Sequence, residues 1–166
     1  DGSNPELILK TIKPVGYHCW IDSSRVALFI LGEPVTLQLV DIQTEKATII
    51  DTNIGRSLHK IPGKESFTYV QKLNDTTWFI NEYDLNLHKG KRLMQTLAGS
   101  EDYVWTGTVI ILMGQQSKLY SFDPSKDSTW SEIADFSQYN IQNIKRLAVS
   151  QDGSRIAFVA NDEATK

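Results

Sequence analysis

Short apolar runs separated by polar turns follow one another along the whole chain. Two of them, Val26–Leu31 and Val109–Met113, are apolar at every position, which is typical of strands covered on both faces. Leu37–Leu39 and Arg92–Gln95 mix apolar and polar residues and predict outer strands. No segment keeps the spacing of an amphipathic helix beyond about two turns. The pattern predicts an all-β fold.

Clusters of Gly, Asn, Asp, Ser and Pro mark the ends of the predicted strands, because these residues adopt tight turns readily. The sequence predicts strands at Glu6–Ile12, His18–Ile21, Arg25–Leu31, Thr36–Asp41, Lys46–Ile50, Ser66–Lys72, Thr77–Leu85, Arg92–Leu97, Val104–Thr106, Thr108–Met113, Lys118–Asp123, Trp130–Ile133, Ile144–Ser150 and Arg155–Ala160.

An internal repeat of about forty residues runs through the chain. Leu37–Asp41, Trp78–Asp84 and Leu119–Asp123 each end in Asp, and each is followed by a polar turn and another strand. A second motif joins Trp20–Phe29 to Ser150–Val159, about three periods later. We align two further segments with this second motif, Trp105–Ile111 and, with Asn74 replacing Asp, Lys72–Phe79.

Four such copies predict a β-propeller of about four blades, each a four-stranded antiparallel sheet. We expect one domain over residues 1–166, divided into blade pieces at 1–12, 13–52, 53–98, 99–137 and 138–166.

The segment Ser150–Phe158 resembles the Ser-Pro-Asp-Gly-x-x-Ile-Ala-Phe repeat of TolB-type, WD-repeat-like propellers. It differs from that repeat in having Gln151 where Pro is usual, and the Asp-Gly turn is lost around Thr106 and Gly107. The resemblance implies a bacterial binding module in the periplasm or secreted, with about six or seven blades.

A chain of about four blades is shorter than that, and two arrangements stay open. The expected one is the C-terminal part of a longer propeller, cut within a blade, whose open blade edges favour self-association. In the other, a terminal strand at Glu6–Ile12 pairs with Ile144–Ala160 and closes a small ring.

Composition and charge exclude several classes of function. Among 166 residues, 17 are basic and 20 acidic, which gives a net charge of -3 with both signs scattered, so nucleic acid is not expected as a partner. No apolar run is long enough to span a bilayer. The single cysteine, Cys19, cannot form an intrachain disulfide.

Few residues suggest catalysis. Cys19 and the adjacent His18 would point to opposite faces of a strand, so we expect Cys19 to be a buried core residue. Asp22, Asp152 and Asn74 are expected to stabilise turns rather than to bind metal, and no cofactor motif is present. The four tryptophans are expected to pack between blades.

The strongest candidate for a site is the set of polar residues that enter the innermost strands. His18, His59, Asp102 and Arg146 recur at about the blade period, so a propeller would bring them together at one mouth of its channel. We predict a binding site for a protein, a peptide or a small ligand there, with no metal, at Tyr17, His18, His59, Asp102, Tyr103 and Arg146.

The predicted function is therefore that of a non-catalytic binding or scaffold module with a protein or peptide partner. Two alternatives rest on similar propellers: a substrate-gating propeller of a prolyl-oligopeptidase-type peptidase, and a carbohydrate-processing propeller. The first would need a Gly-x-Ser-x-Gly segment, and the second would need paired carboxylates facing the channel; neither is evident in this sequence.

Overall fold

The computed structural model describes residues 3–162. They form four antiparallel sheets and one short 3-10 turn at Ser137–Tyr139. The strands are β1 Val15–Trp20, β2 Arg25–Ile30, β3 Thr36–Asp41, β4 Ala47–Thr52, β5 Ile54–Lys60, β6 Ser66–Lys72, β7 Trp78–Asp84, β8 Lys89–Gln95, β9 Tyr103–Trp105, β10 Ile111–Gln115, β11 Lys118–Phe122, β12 Ser131–Asp135, β13 Ile141–Val149 and β14 Ile156–Asp162.

Each sheet is a blade of a propeller. Blades 1, 2 and 3 comprise β1–β4, β5–β8 and β9–β12, with neighbouring strands paired in chain order, and blade 4 comprises β13 and β14. All the pairs are antiparallel, so each blade is a simple meander. The predicted all-β propeller with four-stranded blades is confirmed.

The second strand of each complete blade is covered on both faces. In β2, Ala27 and Phe29 pack towards blade 2, whereas Val26 and Leu28 pack in the opposite direction. In β10, Ile111 packs towards blade 2 and Leu112 towards blade 4. The continuous apolar runs were correctly interpreted as strands buried on both sides.

Blade packing creates a chain of cores rather than one. Blades 1 and 2 enclose one apolar cluster around Phe67, and blades 2 and 3 enclose another around Tyr103. Leu147 of β13 packs against blade 3. The indole of Trp105 donates a hydrogen bond to Thr68 (2.8 Å), and that of Trp130 donates one to the carbonyl of Gln95 (2.8 Å), so these two tryptophans join neighbouring blades as expected. The expectation was wrong for Trp20, which is 44% exposed and faces the segment that covers blade 1.

Aspartate residues hold the predicted turns. Asp41, Asp84 and Asp123 end or follow the third strand of blades 1, 2 and 3 and accept hydrogen bonds from backbone amides two residues later. Asp22 and Asp152 have the same role between the first and second strands of blades 1 and 4. The repeat therefore reflects a shared turn chemistry.

Asn74 also stabilises a turn, since its Oδ1 accepts hydrogen bonds from the amides of Thr76 and Thr77. However, this turn joins β6 to β7, the second and third strands of blade 2. Its alignment with the Asp22 turn, which joins first and second strands, was therefore wrong by one strand.

Two strand predictions also need correction. The segment Glu6–Ile12 lies in the described part of the chain but forms no strand. Instead, Leu9 and Ile12 cover the outer face of blade 1, and Glu45 accepts hydrogen bonds from the amides of Lys10 and Thr11. Conversely, the innermost strand of blade 2, Ile54–Lys60, was absent from the predicted strands.

Candidate functional site

Residues of blades 2, 3 and 4 together line a polar cavity of about 360 Å³. Three segments besides Arg56 line it: the connection Ala98–Asp102 that enters β9, the turn Gly114–Gln116 between β10 and β11, and residues Asn143–Lys145 of β13. A smaller cavity of about 190 Å³, lined by His59, Tyr103 and Arg146 among others, shares Arg56 and Asp102 with it. We call this region the channel mouth.

The central contact of the channel mouth is an ion pair between blades 2 and 3. Arg56 donates hydrogen bonds from Nε and Nη2 to the two carboxylate oxygens of Asp102 (3.1 and 2.7 Å). Burial disfavours ionisation of Asp102, but these bonds outweigh it and lower the pKa of that carboxyl. The pair is therefore charged at neutral pH, and both carboxylate oxygens are occupied.

A second carboxylate supports the first pair. Glu101 accepts a hydrogen bond from the amide of Arg56 (3.2 Å) and forms an ion pair with Lys72 (2.9 Å). A Cβ atom on Gly55 would lie 2.5 Å from Oε2 of Glu101, so this carboxylate needs a glycine opposite it. The acidic and basic groups of blades 2 and 3 thus neutralise one another.

Arg146 also lies at the channel mouth and takes no part in these two close pairs. Its Nε is 3.9 Å from Asp102, its Nη2 donates a long hydrogen bond to the Tyr17 hydroxyl (3.3 Å), and 45% of its side chain is exposed. Arg146 has a left-handed backbone (φ 52°) where the β13–β14 pairing is irregular. Such bulges redirect side chains, and here Arg146 is directed towards blades 1 and 3.

Two of the expected residues lie beneath this surface. The rings of His59 and Tyr103 pack together with centroids 4.8 Å apart. Burial lowers the pKa of His59 to about 4, so the imidazole is neutral at neutral pH. Tyr103 is 1% exposed, and its buried hydroxyl has no hydrogen-bond partner in the described part of the chain. They support the channel mouth from below.

His18 does not join this group. His18 and Trp20 lie on the opposite face of β1, where they face Leu7 and the rest of the segment that covers blade 1. Cys19, on the alternate face of β1, packs into the core between blades 1 and 2, and burial raises the pKa of its thiol. The structure therefore brings together Tyr17, His59, Asp102, Tyr103 and Arg146 and leaves His18 apart, because adjacent strand residues point to opposite faces.

Sequence reasoning missed Arg56, Glu101 and Lys72. Arg56 precedes Asp102 by about one blade period, as Asp102 precedes Arg146, and this spacing was the available signal. Among residues 3–162, no three His, Cys, Asp or Glu side chains lie close enough together to hold a metal ion. Within the same residues, no helix has the length and apolar character needed to cross a membrane.

No family model and no curated protein matches this sequence. Solved structures do match its fold. TolB from Acinetobacter baumannii superposes with a TM-score of 0.68 and 18% identity over 99% of this chain and 42% of its own. An oligogalacturonate lyase in complex with manganese superposes with a TM-score of 0.63 and 14% identity, covering 88% of this chain and 45% of the lyase.

The β-propeller domain of the Trilobed protease from Pyrococcus furiosus, described as having an open velcro topology, gives a TM-score of 0.57 and 11% identity over 92% of this chain and 50% of that domain. The chain thus spans half or less of each of these three structures. They include proteins of different activities and share one architecture. The protein has the β-propeller fold, and it is similar to part of TolB.

Proposed function

We propose that the protein is a non-catalytic binding module whose channel mouth takes an acidic group of a protein or peptide partner, such as a C-terminal carboxylate. The observation that carries this proposal is the state of Arg146. Both oxygens of Asp102 are occupied by Arg56. The Arg146 guanidinium is half-exposed, and its polar contacts within residues 3–162 are the long ones to Asp102 (3.9 Å) and to the Tyr17 hydroxyl (3.3 Å). A guanidinium in that state can pair with a ligand carboxylate in bidentate geometry.

The remaining features of the channel mouth fit an extended chain end. Lys145 adds a second positive charge to the larger cavity, and the backbone around Gly99 and Gln116 adds polar groups. Tyr17 presents an aromatic face beside Arg146, 5.5 Å from its guanidinium carbon. Pockets with a few converging polar groups orient a ligand through those groups.

The test uses two pools of short random peptides that differ only in whether the C-terminus is a free carboxylate or an amide. We expect the free pool to shift the backbone amide resonances of Ser100, Gly114 and Lys145, and the amidated pool to bind about tenfold more weakly. Arg146→Gln should abolish the preference for the free pool. Arg155→Gln, which removes an exposed charge on the β13–β14 turn, is the matched control. Equal binding of both pools would contradict the proposal.

We further propose an extracytoplasmic, bacterial setting, by analogy with the TolB-type resemblance, and self-association through the edge of β14. In residues 3–162, β14 pairs with β13 alone, and such edges attract other strands. Light scattering over a concentration series should show a dimer or larger species, and Val159→Lys should reduce it because a charge blocks strand addition. A monomer at every concentration would contradict self-association without affecting the channel mouth.

A further inference from the structure

A second polar groove lies away from the channel, between the outer parts of blades 1 and 2, with a volume of about 440 Å³. One wall is the end of β4, with Ile50 and Asp51. Tyr69 and Asn81 form the floor, and both are more than nine-tenths buried. The other wall is β8, with Gly90 and Arg92. We call it the blade 1–2 groove.

A chain of hydrogen bonds fixes the orientation of the floor. The carboxylate of Asp51 can only accept, and Gln71 donates to it from Nε2 (2.9 Å). Gln71 must therefore present its Oε1 to Asn81, which donates from Nδ2 (3.1 Å). Asn81 has no freedom to flip its amide without placing two oxygens together. The Oδ1 atom of Asn81 consequently receives no hydrogen bond from this series of side chains.

The floor therefore offers acceptors. The Asn81 Oδ1 is buried and has no hydrogen-bond partner within residues 3–162. The Tyr69 hydroxyl donates its proton to Asp51 (2.7 Å), so its oxygen can still accept a hydrogen bond. A buried acceptor without a donor is unfavourable, and a group that supplies the donor removes that cost. The floor thus selects for hydroxyl groups or amines.

The charge at the rim of the groove favours hydroxyl groups over amines. The Arg92 guanidinium lies over the Phe79 ring, 3.7 Å from its centroid. Among residues 3–162, Arg92 forms no ion pair with a carboxylate. Asp51, the one acidic wall residue, already accepts hydrogen bonds from Tyr69, Gln71 and the amide of Thr52. The free charge at the rim is positive, so it favours an anion and disfavours an amine.

Gly90 keeps the groove open above the floor. A Cβ atom there would lie 3.8 Å from the Tyr69 hydroxyl, so any larger side chain would extend over that oxygen. The position has no positive φ that would require glycine. The lack of a side chain at Gly90 leaves space for a ligand between β4 and β8, and the groove volume is in the range of small-molecule sites.

We propose that the blade 1–2 groove binds a hydroxylated anion of the sugar-acid class. One or more hydroxyl groups donate to the Asn81 Oδ1 and to the Tyr69 oxygen, while the carboxylate of the ligand pairs with Arg92. This site is separate from the channel mouth and does not depend on the function proposed for it.

Three sugars that differ mainly in charge test the proposal: D-galacturonate (anionic), D-galactose (neutral) and D-galactosamine (cationic). Each is titrated into isotope-labelled protein, and the amide resonances of Gly90, Lys91 and Arg92 are followed. We expect saturable shifts with galacturonate at millimolar concentration, binding of galactose weaker by about tenfold, and the weakest binding with galactosamine.

Two variants block the groove from different sides. Asn81→Leu removes the orphaned acceptor, and Gly90→Val covers the Tyr69 oxygen from an exposed strand that tolerates a β-branched residue. Each should abolish the shifts. Arg92→Gln should remove the preference for galacturonate over galactose. Lys89→Gln, which removes a positive charge from the same strand outside the groove, is the matched control and should leave binding unchanged.

Several results would overturn the proposal. One is the absence of saturable shifts at the groove with galacturonate, which would mean that the Asn81 Oδ1 receives no hydrogen bond from a ligand. Equal affinity for the three sugars, or tighter binding of galactosamine, would show that Arg92 does not select the ligand. Retained binding in both Asn81→Leu and Gly90→Val would place the ligand elsewhere on the protein.

Discussion

Blades 1 and 4 contain nearly the same sequence motif in different surroundings. In both turns the carboxylate, of Asp22 or Asp152, accepts hydrogen bonds from the amide and the hydroxyl of a serine two residues later. Each turn is followed by Arg and an apolar strand. In blade 1, Phe29 is 9% exposed, whereas the corresponding Val159 of blade 4 is 59% exposed. The motif therefore specifies the turn and the strand, and the neighbouring elements decide what is buried.

Phe29 and Val159 differ in exposure because different elements cover the two faces of their strands. Strand β2 lies between β1 and β3, with blade 2 on one face and the segment containing Leu9 and Ile12 on the other. Strand β14 is paired with β13 alone in the described chain, and Phe158 faces blade 3. Burial, and with it most of the free energy of unfolding, is a property of blade pairs rather than of single blades.

The largest difference is expected from truncating the two corresponding residues. Phe29→Ala should lower the free energy of unfolding by about 3–5 kcal/mol, because it opens a cavity between blades 1 and 2. Val159→Ala should cost less than about 0.5 kcal/mol, since the side chain is mostly exposed. Urea denaturation of both variants measures the two values. Similar losses in the two variants would contradict the conclusion that the neighbouring blade decides how strongly each side chain stabilises the fold.

A slightly smaller effect is expected where blade 4 is attached. A Cβ atom on Gly114 would lie 2.5 Å from Cγ2 of Ile144, so Gly114→Val should separate β13 from blade 3 at a cost of about 3 kcal/mol. Gly107→Val is the control, because no atom lies within 4 Å of the position of its Cβ. Hydrogen exchange should become faster in β13 and β14 while β2 keeps its protection. Unchanged exchange in blade 4 would contradict this packing.

The corresponding histidines extend the comparison to pH. His18 is exposed, whereas burial lowers the pKa of His59 to about 4 from its usual 6.5. The unfolded chain therefore binds a proton at His59 that the folded protein does not bind between these values. Stability should be complete above pH 6.5 and fall by at most about 3 kcal/mol as the pH decreases to about 4.

Thermal melts across this range, compared with those of His59→Gln and His18→Gln, test the assignment. The His59 variant should lose the pH dependence between pH 6.5 and 4, and the His18 variant should keep it. The opposite result would show that His59 is accessible to solvent protons in the folded state.

The smallest effect concerns the turns. Partial burial opposes ionisation of Asp22, but hydrogen bonds from Ser24 and Arg25 outweigh it and lower its pKa to about 2. Its contribution is present above about pH 4 and is lost as the pH falls to about 2. At neutral pH the free energy of unfolding of the wild type should exceed that of Asp22→Asn by about 1 kcal/mol, a value kept small by solvent screening. The difference should vanish near pH 2.

The serine hydrogen bonds likewise lower the pKa of Asp152 to about 2. Asp152→Asn should therefore make hydrogen exchange in β13 and β14 faster than in the wild type at neutral pH. This difference should disappear near pH 2, as for Asp22. An effect of Asp152→Asn on blade 1 would contradict the independence of the two turns.

The sequence was sufficient for those features of the fold that depend on local chemistry. The Asp residues that end or follow β3, β7 and β11 have one role in three blades, so counting their spacing located all three strands. Strand β5 was harder to identify, because Gly55, Arg56 and Ser57 interrupt its apolar pattern and its pairing with β6 is irregular. The segment Glu6–Ile12 has the apolar content of a strand, but it packs against a blade face instead of pairing.

The candidate site was predictable only in outline. Blade periodicity indicated that Asp102 and Arg146 converge, whereas the bidentate pairing of Arg56 with Asp102 depends on the distance between two blades. His18 lies outside the channel mouth because it points to the other face of β1. A shift of one residue in the alignment of repeats changes the face to which a side chain points, so the sequence alone did not reveal this. The blade 1–2 groove requires the hydrogen-bond chain from Asp51 to Asn81, which no sequence spacing reveals.

The separate cores between successive blades have a mechanical consequence. Each blade contacts mainly the next one, so the molecule behaves as a row of units coupled to their nearest neighbours. Under a pulling force, β13 and β14 should detach first and leave three blades intact. Blades 2 and 3 each contribute to two cores, so failure of either would divide the row, and the two middle blades determine how long the whole molecule stays folded under load.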